Sequence, residues 1–182
     1  MIIVGIDQSK NSTGVVELKD GILNRHCCIK QPKKKLKETE SLIYIKNNLI
    51  DFIDKNTDLV IMEGLSFGAR GKAIFILGGL SFMLRAYFIE NRYDLLIIQP
   101  TMLKKFVTGL GNAGKDFILL NVYKKWKIDF SQYKESAKDI ADAFGLAKIG
   151  WYWKNFDNID MTKIEKQIIK NINISPIEIY KF

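Results

Sequence analysis

Apolar positions along the first third of the chain recur with the period of strands. Ile2 to Asp7 is a short apolar run that closes on a carboxylate. Thr13 to Leu18 is a second, β-branched run, and Asp20-Gly21 after it is a strong hairpin signal, so Ile22 to Lys30 reads as the returning strand. Pro32 and the lysines at 33 to 35 break that pattern. From Leu36 to about Lys55 the spacing changes: Leu42, Ile45, Leu49, Phe52 and Ile53 share one helical face. Leu59 to Met62 is a buried type of strand. A glycine-punctuated loop follows (Gly64, Gly68, Gly71), then an apolar helix over 72–90, then a strand at Leu95 to Ile98 stopped by Pro100. Helices are expected over 101–107 and 114–126 around a Gly109-Leu110-Gly111 hinge, and over Ser136 to Lys148 with Ser136 as N-cap. The segment after Gly150 opens with Trp151-Tyr152-Trp153 and suggests a short helix and a strand-like end.

Three strands in a meander, followed by helix, strand, helix, strand and further helices, is the order of an α/β domain with a mixed sheet. The expected architecture is RNase H-like: a five-stranded mixed sheet flanked by helices, with residues 1–154 as the RNase H-like domain and 155–182 as an extension packed on it. At 182 residues and 47% apolar, the chain can bury one sizeable core and has no room for two large domains.

Charge narrows the partner class. Lys plus Arg number 28 against 20 acidic residues, a net +8, which favours a polyanion without bearing on the fold. Cys27 and Cys28 are chain neighbours and the only cysteines, so a reducing compartment is expected: the cytoplasm, or the host cytoplasm for a viral protein. No run of about 18 apolar residues occurs, so neither a membrane span nor secretion is expected.

Four carboxylates stand out by position. Asp7 and Glu63 each close an apolar strand, where a buried charge is costly unless paired or bound to a cation. Asp139 and Asp142, at i and i+3, fall on one helical face beside Ile140, Ala143 and Phe144, and the small residues Ala141, Ala143, Gly145 and Ala147 suggest close packing there. A turn-forming aspartate and a solvated helix face are the plain alternatives for each taken singly. Together they match the oxygen ligands of Mg²⁺, two of which about 3.5–4 Å apart can drive phosphodiester hydrolysis. His26 stands alone in a strand, which argues against zinc.

Gly5-Ile6-Asp7, Ser9 and Thr13-Gly14 resemble the first-strand motif of the RuvC-type Holliday-junction resolvases. Ile61-Met62-Glu63 resembles their second acidic motif and Asp139-Ile140-Ala141-Asp142-Ala143 their last. Pro100, Leu103, Lys104, Val107, Gly109, Gly111, Ala113 and Lys115 keep the family's spacing between these two without a gap. The resemblance covers about residues 2 to 150. It implies an RNase H-like fold, a homodimer, Mg²⁺ with Mn²⁺ as substitute, and paired symmetric nicks across a four-way DNA junction. Asp7, Glu63, Asp139 and Asp142 would be the metal-binding catalytic acids, Lys115 a further catalytic group, and Lys104, Lys105 and Lys115 DNA contacts. Arg70 and Lys72 lie in a glycine-rich loop suited to phosphate, and Phe67 could stack on an unpaired base. Two departures point to a divergent, phage-type member with relaxed sequence preference. Gln8-Ser9 replaces Pro-Gly after the first aspartate, and Ser66, not Phe67, stands where the family carries an aromatic wedge.

Other function classes fare less well. An RNase H-like enzyme acting on RNA or RNA–DNA hybrids is the nearest rival, and a junction-binding protein without catalysis leaves the four acids unexplained. An ATPase of the actin and sugar-kinase type would need a second lobe. The helix over 72–90, apolar almost all round with Ile74, Phe75, Leu77, Leu80, Met83, Leu84, Tyr87 and Phe88, offers a surface for the dimer.

Overall fold

The structure, a computed structural model, describes residues 1–34, 36–65, 71–172 and 178–182, with the side chains of Lys72 and Ala73 left aside. The opening meander is β1 (Ile2–Asp7), β2 (Ser12–Lys19) and β3 (Ile22–Lys30), antiparallel throughout and turned at Asp20-Gly21, both at positive φ. Next come α1 (Glu38–Phe52), β4 (Leu59–Glu63), α2 (Lys72–Glu90) and β5 (Leu95–Ile98). β4 lies parallel to β1 and β5 parallel to β4. The chain ends with α3 (Pro100–Thr108), α4 (Lys115–Trp126), a 3₁₀ stretch (Ser131–Ser136), α5 (Ala137–Lys154), α6 (Lys163–Ile172) and β6 (Ile179–Tyr180).

The sheet among the described residues has six strands, in the order β3-β2-β1-β4-β5-β6. This corrects the expected five: the two residues of β6 pair antiparallel with β5 and cover an edge that would otherwise offer unpaired amides.

Strand side chains alternate faces, and the alternation sorts the interior into two cores. Val4, Ile6, Val15, Val60, Met62, Leu95 and Ile97 face α1 and α2, where Leu42, Ile45, Leu49, Leu80, Leu84 and Phe88 meet them. Ile3, Val16, Leu18, Leu59, Ile61, Leu96 and Ile98 face the opposite way, onto α5 and the helices around it. The same parity sends Asp7, Glu63 and the start of β2 toward α5.

α5 runs to Lys154, six residues past its expected end, because Gly150 does not stop it. A Cβ there would come within 2.1 Å of Ile61 Cδ1, so the glycine lets the helix lie close on the sheet. Ser136 precedes the helix but makes no side-chain capping bond; its backbone continues from the 3₁₀ stretch in helical conformation. The approach is as close at the other end: a Cβ on Gly5 would meet Ala143 O at 2.1 Å, and one on Gly14 would meet Asp139 O at 2.1 Å. The small residues of α5 are thus the side on which it meets β1 and β2. In the tail, Thr162 and Glu165 exchange capping hydrogen bonds at the start of α6, whose Ile168, Ile169 and Ile172 join the α5-side core. No helix among the described residues is long and apolar enough to cross a membrane.

Candidate active site

β1 and β4 are parallel neighbours with Ile6 opposite Met62, so Asp7 and Glu63 leave the same end of the sheet side by side and on the α5 face. Gly14 lies opposite Asp7 on β2 and carries the first turn of α5 almost in backbone contact. That contact brings Asp139 and Asp142 to the two strand ends.

A lysine from a third direction completes the cluster. Lys115, the first residue of α4, places Nζ 2.9 Å from Asp7 Oδ2, 2.7 Å from Asp139 Oδ1 and 3.1 Å from Asp142 Oδ2. Asp7 and Asp142 are buried, at 6% and 4% exposure. Asp142 Oδ1 is buried without a hydrogen-bond partner among the described residues, a costly state for a carboxylate oxygen. Burial is the largest influence on all the shifted acids here. It raises Asp7, with Asp139 adding to the rise and Lys115 opposing it. Burial and the charge of Asp7 push Asp142 up to about 7 against the pull of Lys115. Glu63 is pushed up to about 8 by burial and by Asp7 and Asp142, while Lys115 and Lys104 pull it down. Burial lowers Lys115, but the facing carboxylates outweigh it and raise the ammonium well above its ordinary value.

Among the described residues, no set of three carboxylate, histidine or cysteine side chains is arranged to hold a metal ion as it stands. The point on which Asp7, Asp139 and Asp142 converge is taken by the Lys115 ammonium. The donor chemistry nevertheless fits a hard divalent cation. It is all carboxylate oxygen, with one buried oxygen unpaired among the described residues and two acids, Glu63 and Asp142, whose pKa values are raised by burial and by the carboxylates beside them. Lys115 is the cation that these groups presently share.

Of the other sequence candidates, Lys104 is half-buried on α3, near enough to Glu63 to lower its pKa, and Lys105 is exposed on the next position. Phe67 and Arg70, with Ser66, lie outside the described residues, as does the side chain of Lys72. His26 packs its ring against Phe130 and Tyr133. Lys33 and Lys34 are exposed.

Two residues absent from the sequence candidates touch the site. Gln8 Nε2 donates to Glu63 O at 2.8 Å and to Ser81 Oγ on α2 at 3.1 Å. Ser12 Oγ donates to Asp139 Oδ2 at 2.5 Å. Strand parity alone would have put Ser12 on the face of Asp7, but only the docking of α5 reveals its partner.

The chain superposes on RuvC of Thermus thermophilus with a TM-score of 0.63 at 19% identity, over 85% of this chain and 96% of that one. The fold is RuvC-like. RuvC of the same organism in complex with a Holliday-junction substrate gives 0.66 at 16% identity, over 85% and 95%. The RuvC-like arrangement extends to the Holliday-junction resolvase of fowlpox virus, at 0.52 and 16% identity, over 83% and 98%. No protein-family model and no curated protein matches the sequence.

Proposed function

We propose that this protein is a metal-dependent, structure-selective endodeoxyribonuclease that resolves four-way DNA junctions by paired symmetric nicks. The observation that carries the reading is the convergence of Asp7, Asp139 and Asp142 around one ammonium, with Glu63 on the adjacent strand end. The likeness of the fold to two resolvases, each also known in complex with junction DNA, supports the choice of substrate.

Asp7, Glu63, Asp139 and Asp142 would hold two Mg²⁺ ions, or Mn²⁺, which when bound supply an activated water and neutralise charge on the leaving oxygen. The protein's own groups do the rest. Glu63 and Asp142, whose protonated forms burial favours, would have to ionise to hold a cation. Lys115 Nζ lies beside these carboxylates, where it would donate to a phosphate oxygen and stabilise developing charge. Lys104 and Lys105 on α3 extend the positive surface beside the site, and Phe67, Arg70 and Lys72, which follow Glu63 in the sequence, are further DNA contacts in this reading.

A homodimer accounts for paired nicks, since two-fold symmetry presents two sites to opposite strands. α2 supports it: Phe75 and Phe82 expose 80% and 60% of their surface on an otherwise apolar helix. Residues 155–182 belong to the same nuclease unit, with α6 sharing its core. Cys27 and Cys28 are both free and point to opposite faces of β3, in keeping with a cytoplasmic site of action.

The test is an immobile synthetic junction with Mg²⁺ or Mn²⁺, compared with a flap, a linear duplex and an RNA–DNA hybrid. Symmetric nicking of the junction, abolished by Asp7→Asn, is expected. Absence of nicking, nicking unaffected by Asp7→Asn, or preferential cutting of the hybrid would each overturn the assignment.

A further inference from the structure

Asp139 occupies the third position of α5, where an aspartate ordinarily turns back toward the exposed amides of the first helical turn. Here it is drawn away from the helix. Its two oxygens are divided between partners: Oδ1 accepts from Lys115 at 2.7 Å and Oδ2 from Ser12 Oγ at 2.5 Å. The Ser12 contact crosses from α5 to the first residue of β2, 127 positions away in the chain.

Behind Ser12 stands Cys28 of β3, whose Sγ lies 3.0 Å from Ser12 Oγ. A serine hydroxyl has one proton, and an ionised carboxylate can only accept. The Ser12 proton is therefore committed to Asp139, and the thiol S–H of Cys28 is the donor to Ser12. The polar chain runs Cys28 to Ser12 to Asp139 and fixes both the rotamer of the serine and the face that the carboxylate presents. The turn that leads into Ser12 is itself fastened, since Thr13 Oγ1 donates to Ser9 O at 2.6 Å and accepts from Ser9 N at 3.1 Å.

We propose that Ser12, backed by Cys28, is a positioning residue that holds Asp139 Oδ2 so that Oδ1 alone faces the cation seat. The inference rests on the metal-dependent reading above. Groups that orient a ligand from behind typically change metal affinity by about 10–100-fold when removed.

The experiment measures Mn²⁺ binding to the full-length protein by electron paramagnetic resonance, without DNA and independently of cleavage. Ser12→Ala is expected to raise the Mn²⁺ Kd about tenfold, with metal-free junction binding unchanged. Ser12→Thr, which restores the hydroxyl, should return the Kd to within about twofold of wild type, and Cys28→Ala should weaken binding in the same direction but less. An Mn²⁺ Kd in Ser12→Ala equal to that of wild type, or a Ser12→Thr protein as weak as Ser12→Ala, overturns the positioning role and leaves the metal site standing. Absence of Mn²⁺ binding by the wild-type protein would instead remove the metal reading and this role with it.

Discussion

Replacing Gly14 with alanine places a methyl group where the first turn of α5 already lies. The added Cβ would sit 2.1 Å from Asp139 O, 2.5 Å from Asp139 C and 3.0 Å from Ile140 N. An ordinary carbon–oxygen contact is about 3.3–3.6 Å, so strand and helix must part by roughly 1.2 Å. All three neighbours are backbone atoms, which cannot rotate aside as a side-chain tip can. Overpacking of this kind costs about 1–3 kcal/mol, and the rigid neighbours place it toward the upper end. Alanine recovers roughly 0.5–1 kcal/mol through lower entropy of the unfolded chain, leaving a net loss near 2 kcal/mol. For a chain of this size that is a fall in Tm of about 4–8 °C. The displaced turn carries Asp139 and, one turn on, Asp142, while Asp7 is paired opposite Gly14 itself. A misplacement of about 1 Å at reacting groups costs on the order of 100-fold in rate. Thermal unfolding and junction cleavage at saturating metal, measured on the same preparation, read the two effects. Gly79→Ala is the control: its nearest atom is Leu42 Cδ1 at 3.6 Å, and the exposed helical position should gain up to about 1 kcal/mol. A folded Gly14→Ala protein that cleaves within threefold of wild type would refute the claim that this contact sets the separation of the carboxylates.

Other perturbations probe the charges. Glu63 and Asp142 are raised to about 8 and about 7, so the native state keeps protons that the unfolded chain has lost, and the metal-free protein should lose stability as pH rises from about 4 to about 8. Urea midpoints across that range should show the decline, and Glu63→Gln should flatten its upper part. Lys115→Met removes the shared ammonium and should cost about 2 kcal/mol without metal, below the range for a fully buried pair because the lysine is half exposed. Added Mg²⁺ should raise the Tm of that variant more than that of wild type, and equal increments would count against Lys115 and the metal sharing one seat. Lys125→Met strands the buried Glu165, at 3% exposure, and should destabilise by about 3 kcal/mol in urea unfolding. Lys125→Met with Glu165→Leu should recover part of the loss, since the capping bond from Thr162 N goes with the carboxylate.

The strands and the four acids were legible because their signals are local: an apolar run ended by a carboxylate, and two aspartates on one helical face. What escaped depends on tertiary contact. Gly150 reads as a helix stop until Ile3 and Ile61 are seen to need the space a Cβ would take, and Ile179–Tyr180 is too short a strand to carry an alternation of its own. Ser12 precedes the second apolar run, and nothing near it in sequence announces a partner on α5. Lys115 was legible as a cation near the site, but its seat at the meeting point of three carboxylates was not, since it requires α4 to arrive against two strand ends and α5.

The two cores divide the labour of the molecule unequally. Every carboxylate of the site lies on the α5 side of the sheet, where the same close contacts both hold the helix down and set the distances between the acids. The α1–α2 side bears none of them, and among the described residues it is tied to the site by the hydrogen bond from Gln8 to Ser81. Thermal adaptation therefore has an open route and a closed one. Better packing around Leu42, Leu49 or Leu84 can stiffen the protein for a hotter environment and leave its chemistry alone. A change along the β1–α5 seam alters working temperature and turnover together, so a lineage that moves between climates is expected to record the move under α1 and α2.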